Sequence, residues 1–230
     1  MHTIPHYALN LSGKQVQKYS DLGFQEFSIL SLNAINNIHR LALIDRDGVI
    51  NVKPPKHTYI ERPRDVKILE KVGLALKHLN EAGIPVVIIT NQPGIYKKLY
   101  SPLDLLEINS EMHRQLNLQA DVKINALIFC PHPALEEGDI VNESKLCTCR
   151  KPKAGMLNLA MKLYPCEKSQ VFMLGDFFSD YEAAKNAGCN FIFIDEPSDE
   201  REANRKKFKD AGVSPLSFPS LFEAVLFLTK

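Results

Sequence analysis

Leu41-Ala42-Leu43-Ile44-Asp45-Arg46-Asp47-Gly48 is the stretch on which the fold turns. Four apolar residues closed by an acid read as a short strand buried on both faces, the habit of parallel sheets. The same pattern recurs downstream. Pro85-Val86-Val87-Ile88-Ile89 runs into Thr90, Ile124 to Phe129 reads as a third strand, Val171-Phe172-Met173-Leu174 runs into Gly175-Asp176, and Phe191 to Ile194 is a fifth. Helical spacing separates them. Leu69, Val72, Leu76 and Leu79 share a face that Gly83 terminates. Ser101-Pro102 supplies an N-cap and a first-turn proline ahead of Leu105, Ile108, Met112 and Leu116. Further helices are expected over 154–163, 181–187 (closed by Gly188) and 199–211, and a last one starts from the capping box Ser220 to Glu223. Strands alternating with helices predict an α/β fold with a parallel sheet, right-handed crossovers and helices on both faces.

Residues 1–40 are polar and weakly patterned, with a short helix expected around Phe27 to Ile38. They form an N-terminal extension to a domain spanning 41–230. The chain has 230 residues, enough for a core that needs no disulfide staples. Lys plus Arg number 28 and Asp plus Glu 27, so no polybasic surface for nucleic acid is indicated. The longest apolar run falls far short of the roughly 20 residues a membrane helix needs. No signal peptide stands out, so a cytoplasmic monomer acting on a small molecule is expected. Three of the five cysteines, Cys130, Cys147 and Cys149, lie within twenty positions, a clustering that composition alone does not explain.

Asp45, Thr90 and Asp176 each fall at the C-terminal end of a predicted strand, the edge where open parallel sheets bind ligands. Two carboxylates two apart, Asp45 and Asp47, suit a nucleophile and a general acid and base, the latter working best with a raised pKa. Thr90-Asn91-Gln92 can offer a hydroxyl and backbone N–H groups to phosphate oxygens. Arg150-Lys151-Pro152 places cations where a phosphoryl group gathers charge. Asp176 can complete a Mg²⁺ site, and Asp180 can orient it from the first helical turn. Taken singly, each motif also reads as a polar turn, a solvated basic pair or an acid favoured at a helix N-terminus. Cys130-Pro131-His132, followed after fourteen residues by Cys147-Thr148-Cys149, is a closed ligand set for structural Zn²⁺. Such a staple would order a loop with little apolar content and position Arg150 and Lys151.

In order and placement these motifs resemble those of the haloacid dehalogenase superfamily of aspartyl-phosphate phosphatases, over roughly Leu41 to Asp195. Asp45-x-Asp47-Gly48, Thr90, Lys151 and Gly175-Asp176-x-x-x-Asp180 are its four motifs. The zinc-type loop running into Cys149-Arg150-Lys151-Pro152 resembles the branch that holds the D-glycero-D-manno-heptose 1,7-bisphosphate and histidinol-phosphate phosphatases. The resemblance implies a capless, Rossmann-like three-layer domain and Mg²⁺-dependent phosphomonoester hydrolysis, with a sugar bisphosphate as the leading substrate. It implies Asp45 as nucleophile and Asp47 as acid and base. Mg²⁺ would be held by Asp45, Asp176 and the Asp47 backbone carbonyl. Thr90, Asn91, Gln92, Arg150 and Lys151 would contact phosphate and substrate, and 53–64 would be a specificity loop. Histidinol-phosphate phosphatase, nucleic-acid 3′-phosphatase and a non-catalytic binding relative are the alternatives. Three features depart from the resembled pattern. Phe177 stands where a basic residue usually follows the fourth-motif acid, and Lys97, Lys98 and Lys153 are the candidates to replace it. The loop usually written Ser-Gly-Ile-x-Arg-Gly reads Pro93-Gly94-Ile95-Tyr96-Lys97-Lys98. Residues 1–40 have no counterpart in compact members.

Overall fold

The computed structural model describes residues 38–134, 147–198 and 200–230, together with three short strands nearer the N-terminus. Those are Ala8–Leu9 (β1), Val16–Gln17 (β2) and Ser28–Leu30 (β3). The central strands are Leu41–Ile44 (β4), Val86–Asn91 (β5), Ala126–Cys130 (β6), Val171–Gly175 (β7), Asn190–Ile194 (β8) and Leu216–Phe218 (β9). Helices are Val72–Glu81 (α1), Pro102–Gln119 (α2), Gly155–Leu163 (α3), Phe178–Ala187 (α4), Arg201–Asp210 (α5) and Leu221–Leu228 (α6). Five of the six central strands were expected. β9 was not, because its three residues stay largely exposed and leave no apolar run.

The sheet order is β2-β1-β3-β6-β5-β4-β7-β8-β9. From β6 to β9 every pairing is parallel. The chain therefore starts this parallel block in the middle, at β4. It moves outward one way through β5 and β6, then returns to the other side of β4 with β7. The β4–β7 boundary is the topological switch point, where a crevice opens beyond the strand ends. On the far side β3 pairs antiparallel with β6, joining Ser28–Leu30 to Leu127–Phe129. The helix expected around Phe27 to Ile38 is thus replaced by a strand over Ser28–Leu30, and 31–37 lie outside the described residues. An unpaired edge at β6 offers backbone donors and acceptors to whatever segment can extend along it, and weak periodicity is no obstacle to that.

Period-two alternation divides the core. Ala42, Ile44, Val86 and Ile88 face the side covered by α1, α2 and α6. Leu41, Leu43, Val87 and Ile89 face the side covered by α3 and α4. Val72, Leu76 and Leu79 of α1 are 0–2% exposed. Each such side chain contributes about 1.5–3 kcal/mol of gross burial, so the stripe is what holds the helix to the sheet. At the start of α2, Ser101 Oγ accepts from the Asp104 N–H at 3.2 Å and Asp104 accepts from the Ser101 N–H at 2.7 Å. Helix α5 docks through Phe208 onto Phe178, Tyr181, Phe191 and Phe193. Among the described residues no helix is long and apolar enough to cross a membrane.

Candidate active site

Beyond the ends of β4, β5 and β7 lies a cavity of about 640 Å³. Asp45, Asp47, Thr90, Asn91, Arg150, Lys151, Phe177 and Asp180 contribute to its wall. Asp45 follows β4 directly and donates its backbone N–H to the Leu174 carbonyl at 2.9 Å, so the loop after β4 is stitched to β7 across the switch point. Gly48 then turns the chain at φ +95°, where a Cβ would lie 2.4 Å from the Asp176 carboxylate. Gly175 has the same role toward Asp180, whose carboxylate would sit 2.4 Å from an added Cβ. Both glycines are what allow two loops to approach a shared group of acids.

Lys151 is the hub of that group. Its ammonium is 2.8 Å from Asp45 Oδ1 and 2.7 Å from Asp180 Oδ1, and it donates to the Ile89 carbonyl at 3.0 Å. The ammonium is thus surrounded by three protein oxygens. Asp180 also accepts the Phe177 N–H at 3.1 Å, capping α4 while it holds Lys151. Asp45, Asp176 and Asp180 can bring one carboxylate oxygen each within 4.8 Å of the others. Burial pushes Asp45 up to about 7, against the pull of Lys151 and with Asp180 and Asp176 adding like charge. Asp176 rises to about 6, again chiefly through burial, with Lys53 opposing. Asp176 Oδ1 is buried with no hydrogen-bond partner. An orphaned oxygen among crowded acids is the donor set of a hard divalent cation such as Mg²⁺.

Asp47 behaves differently. Burial alone would raise its pKa, but the Arg46 guanidinium and the amides of Asn51 and Gln92 outweigh it and hold the carboxyl below the usual range. Arg46 Nε and Nη2 reach Asp47 at 3.0–3.1 Å, while Nη1 reaches Asn109 at 3.2 Å. The raised carboxyl expected at Asp47 is instead Asp45. Gln92 joins this network by donating to Asp47 and to Thr90 Oγ1, each at 3.0 Å, and accepting from Tyr100 Oη at 2.7 Å. Arg46, Asn51, Tyr100 and Asn109 were not foreseen as site residues. Arg46 alone had a signal, since it sits inside the Asp-x-Asp motif.

Asn91 was expected to face substrate. It lines the cavity, and its side-chain amide is paired reciprocally with the Lys151 backbone, with both hydrogen bonds at 3.1 Å. It is therefore a clamp between β5 and the lysine loop. Arg150 lines the cavity but is pinned to the His132 carbonyl at 2.8 Å. Of the candidates to replace a base at Phe177, Lys153 donates to the Cys147 carbonyl and Lys97 lies 5.3 Å over the Tyr59 ring. Neither Lys97 nor Lys98 lines the cavity.

Cys130, His132, Cys147 and Cys149 converge beside this site. Cys149 Sγ is 2.9 Å from Cys130 Sγ and 3.1 Å from Cys147 Sγ. His132 Nδ1 is 3.5 Å from both Cys130 and Cys149. All four residues are buried, and residues 135–146 between the two ligand pairs lie outside the described residues. Three thiols and one imidazole nitrogen at such range suit a tetrahedral, soft-ligand cation. Arg150 donates its backbone N–H toward Cys147 Sγ at 3.4 Å, so the cluster and the lysine loop share a backbone.

The chain is similar to known proteins. The HAD-hydrolase-like family model covers residues 148–215, a span that includes Lys151, Asp176 and Asp180. The chain is 34% identical over 149 residues to a D-glycero-beta-D-manno-heptose-1,7-bisphosphate 7-phosphatase of Haemophilus ducreyi, covering 65% of this chain and 79% of that protein. It is 36% identical over 159 residues to a Rhodopseudomonas palustris protein of the same name, covering 69% and 85%. Among solved structures, it is similar to the D,D-heptose 1,7-bisphosphate phosphatase of B. bronchiseptica complexed with magnesium and phosphate. That match has a TM-score of 0.68 and 27% identity, covering 82% of this chain and 97% of that one.

Proposed function

The chain belongs to the haloacid dehalogenase-like hydrolases, in the branch of the heptose bisphosphate phosphatases, and from that premise we propose that it removes the 7-phosphate from D-glycero-D-manno-heptose 1,7-bisphosphate. It is a phosphatase. Asp45 is the nucleophile: its carboxylate attacks phosphorus, the bond to the sugar oxygen breaks, and an aspartyl phosphate forms. Lys151 holds Asp45 Oδ1 and Asp180 in register for that attack. Thr90, its hydroxyl accepting from Gln92, is left to donate toward a non-bridging oxygen.

Asp47 protonates the departing sugar oxygen and then removes a proton from the attacking water. Arg46 keeps Asp47 ionised before substrate arrives, which is the form the second step needs. An incoming phosphate adds like charge beside Asp47 and raises its proton affinity, which is the form the first step needs. Asp45, Asp176 and the Asp47 carbonyl would hold Mg²⁺, which would supply Lewis-acid neutralisation of the phosphoryl charge. Cys130, His132, Cys147 and Cys149 would hold a structural Zn²⁺, which would fix the turn that carries Arg150 and Lys151.

The observation that carries this reading is the convergence of Asp45, Asp176, Asp180 and Lys151 on one buried point at the floor of the cavity. The test is Mg²⁺-dependent phosphate release from heptose 1,7-bisphosphate, histidinol phosphate and 3′-phosphorylated DNA. The heptose is expected to win, and Asp45→Asn is expected to abolish turnover. Robust activity of Asp45→Asn would sink the mechanism, and preference for another ester would move the substrate.

A further inference from the structure

Among the described residues the cavity wall includes six basic ones: Lys53, Lys56, His57, Arg150, Lys151 and Lys153. They differ in how near they stand to the acid cluster and in how they are held. Lys151 is shared among Asp45, Asp180 and the Ile89 carbonyl, while Arg150 and Lys153 donate once each, to the His132 and Cys147 carbonyls on the side of the cysteine cluster, and keep further donors. Lys56 and His57 are exposed. Lys53 is placed otherwise. Its ammonium is 2.8 Å from Asp176 Oδ2 and 3.3 Å from Glu200, which leaves one of three donors for a ligand. It also lies 4.4 Å over the Phe177 ring centroid, and Lys207 of α5 lies 4.8 Å over the same ring. A ring attracts an ammonium without consuming a hydrogen-bond donor or cancelling its charge, as a second carboxylate would.

The backbone ahead of Lys53 is fixed. Asn51 bridges to Ile68, and the Val52 N–H donates to the Lys67 carbonyl at 2.8 Å. Pro54 and Pro55 then restrict the chain just beyond it. Lys53 is therefore held at the acid cluster from both directions. The electrostatic need is plain. Three carboxylates would be just offset by one Mg²⁺ and Lys151, so the charge of an arriving phosphate would still lack a counter-ion.

We propose that Lys53 is a phosphate-binding residue of this site, with Phe177 as the platform that positions its ammonium. The charge is supplied from the loop after β4, not from the turn after β7. This proposal rests on the phosphatase reading for its ligand class. The experiment separates the two by using inorganic phosphate as a binding probe alongside turnover of a general phosphate ester, both in saturating Mg²⁺. Lys53→Met is expected to raise the phosphate Kd and the KM about tenfold or more, the size of one charge-assisted hydrogen bond, with a smaller change in kcat. Lys53→Arg is expected to recover most of the loss. The double variant Lys53→Met with Phe177→Lys, which returns a cation to position 177, is also expected to restore affinity. If Lys53 is merely a counter-ion to Asp176, Lys53→Met leaves the phosphate Kd and KM unchanged, and the proposal is overturned. A wild-type protein that hydrolyses no ester would overturn the phosphatase reading, while the phosphate titrations would still decide on Lys53.

Discussion

Arg46 is 1% exposed and carries its charge into the protein beside Asp45, the proposed nucleophile. Its guanidinium is compensated by Asp47 and by the Asn109 side chain, the condition under which a buried cation is tolerated. The identity of the middle residue in Asp-x-Asp thus sets the proton affinity of the second acid. Arg46→Met should leave Asp47 buried with two amides in place of a cation, so its pKa should rise. The acidic limb of the pH profile of kcat is then expected to move to higher pH, and the variant to lose about 3–5 kcal/mol of stability, as broken buried pairs do. Stopped-assay rates across pH and a thermal melt would read the two effects separately. An unmoved acidic limb in a folded variant would remove Asp47 from that limb. None of this was legible from residue types, because Asp45 and Asp47 are chemically identical in the sequence. Their environments are built by residues from four separate segments. Phe177 shows the same limit: its departure from the expected base was visible, but the lysine stacked on it comes from 124 positions upstream.

At the level of elements, strand ends were the informative unit. Asp45, Thr90 and Asp176 were assigned to one crevice because each follows a buried apolar run, and β4, β5 and β7 do lie side by side there. Short or exposed strands gave no such signal. β3 is paired by the β6 edge and β9 by β8, so tertiary pairing decides what periodicity cannot. The turn carrying Cys147 to Lys151 is neither strand nor helix, yet it positions the central lysine. Among its ties to the rest of the molecule are the reciprocal Asn91 hydrogen bonds, the Arg150 and Lys151 side chains and the Cys130–His132–Cys147–Cys149 cluster. Three buried thiols beside one another cannot all ionise without a cation, so a bound metal should be integral to this turn. One zinc per chain is expected by elemental analysis. Cys149→Ser should lower Tm by about 10 °C, the scale of losing a structural metal from a chain of this length, and should depress turnover through Lys151. Zinc-free protein with an unchanged melt would remove the metal from the turn.

Over the whole molecule, the parallel block brings the two loops beside the β4–β7 switch point together, and so places carboxylates where burial works against their charge. Asp45 and Asp176 go from an ordinary value of 3.8 in the unfolded chain to about 7 and about 6 in the folded one. Between those limits the folded protein holds protons that the unfolded chain has released. Metal-free stability from these two groups is therefore fully present below the unfolded value and is lost as pH rises through about 4 to 7. Asp47 has the opposite sign: Arg46 depresses its pKa, so its contribution is present above the ordinary value and is lost in acid. A divalent cation binds the ionised forms of Asp45 and Asp176 and competes with their protons, so its apparent affinity must rise over the window in which metal-free stability falls. Mg²⁺ at about a hundred times its Kd adds about 2.7 kcal/mol to the folded state. That gain, followed as the Mg²⁺-induced shift in Tm, is expected to be small near pH 5 and to grow steadily toward about pH 8. Asp176→Asn should abolish the shift at every pH while leaving the metal-free melt intact or raised, because the buried acid that Mg²⁺ would offset has been removed. A shift that stays constant with pH would mean that the cation does not engage these two acids.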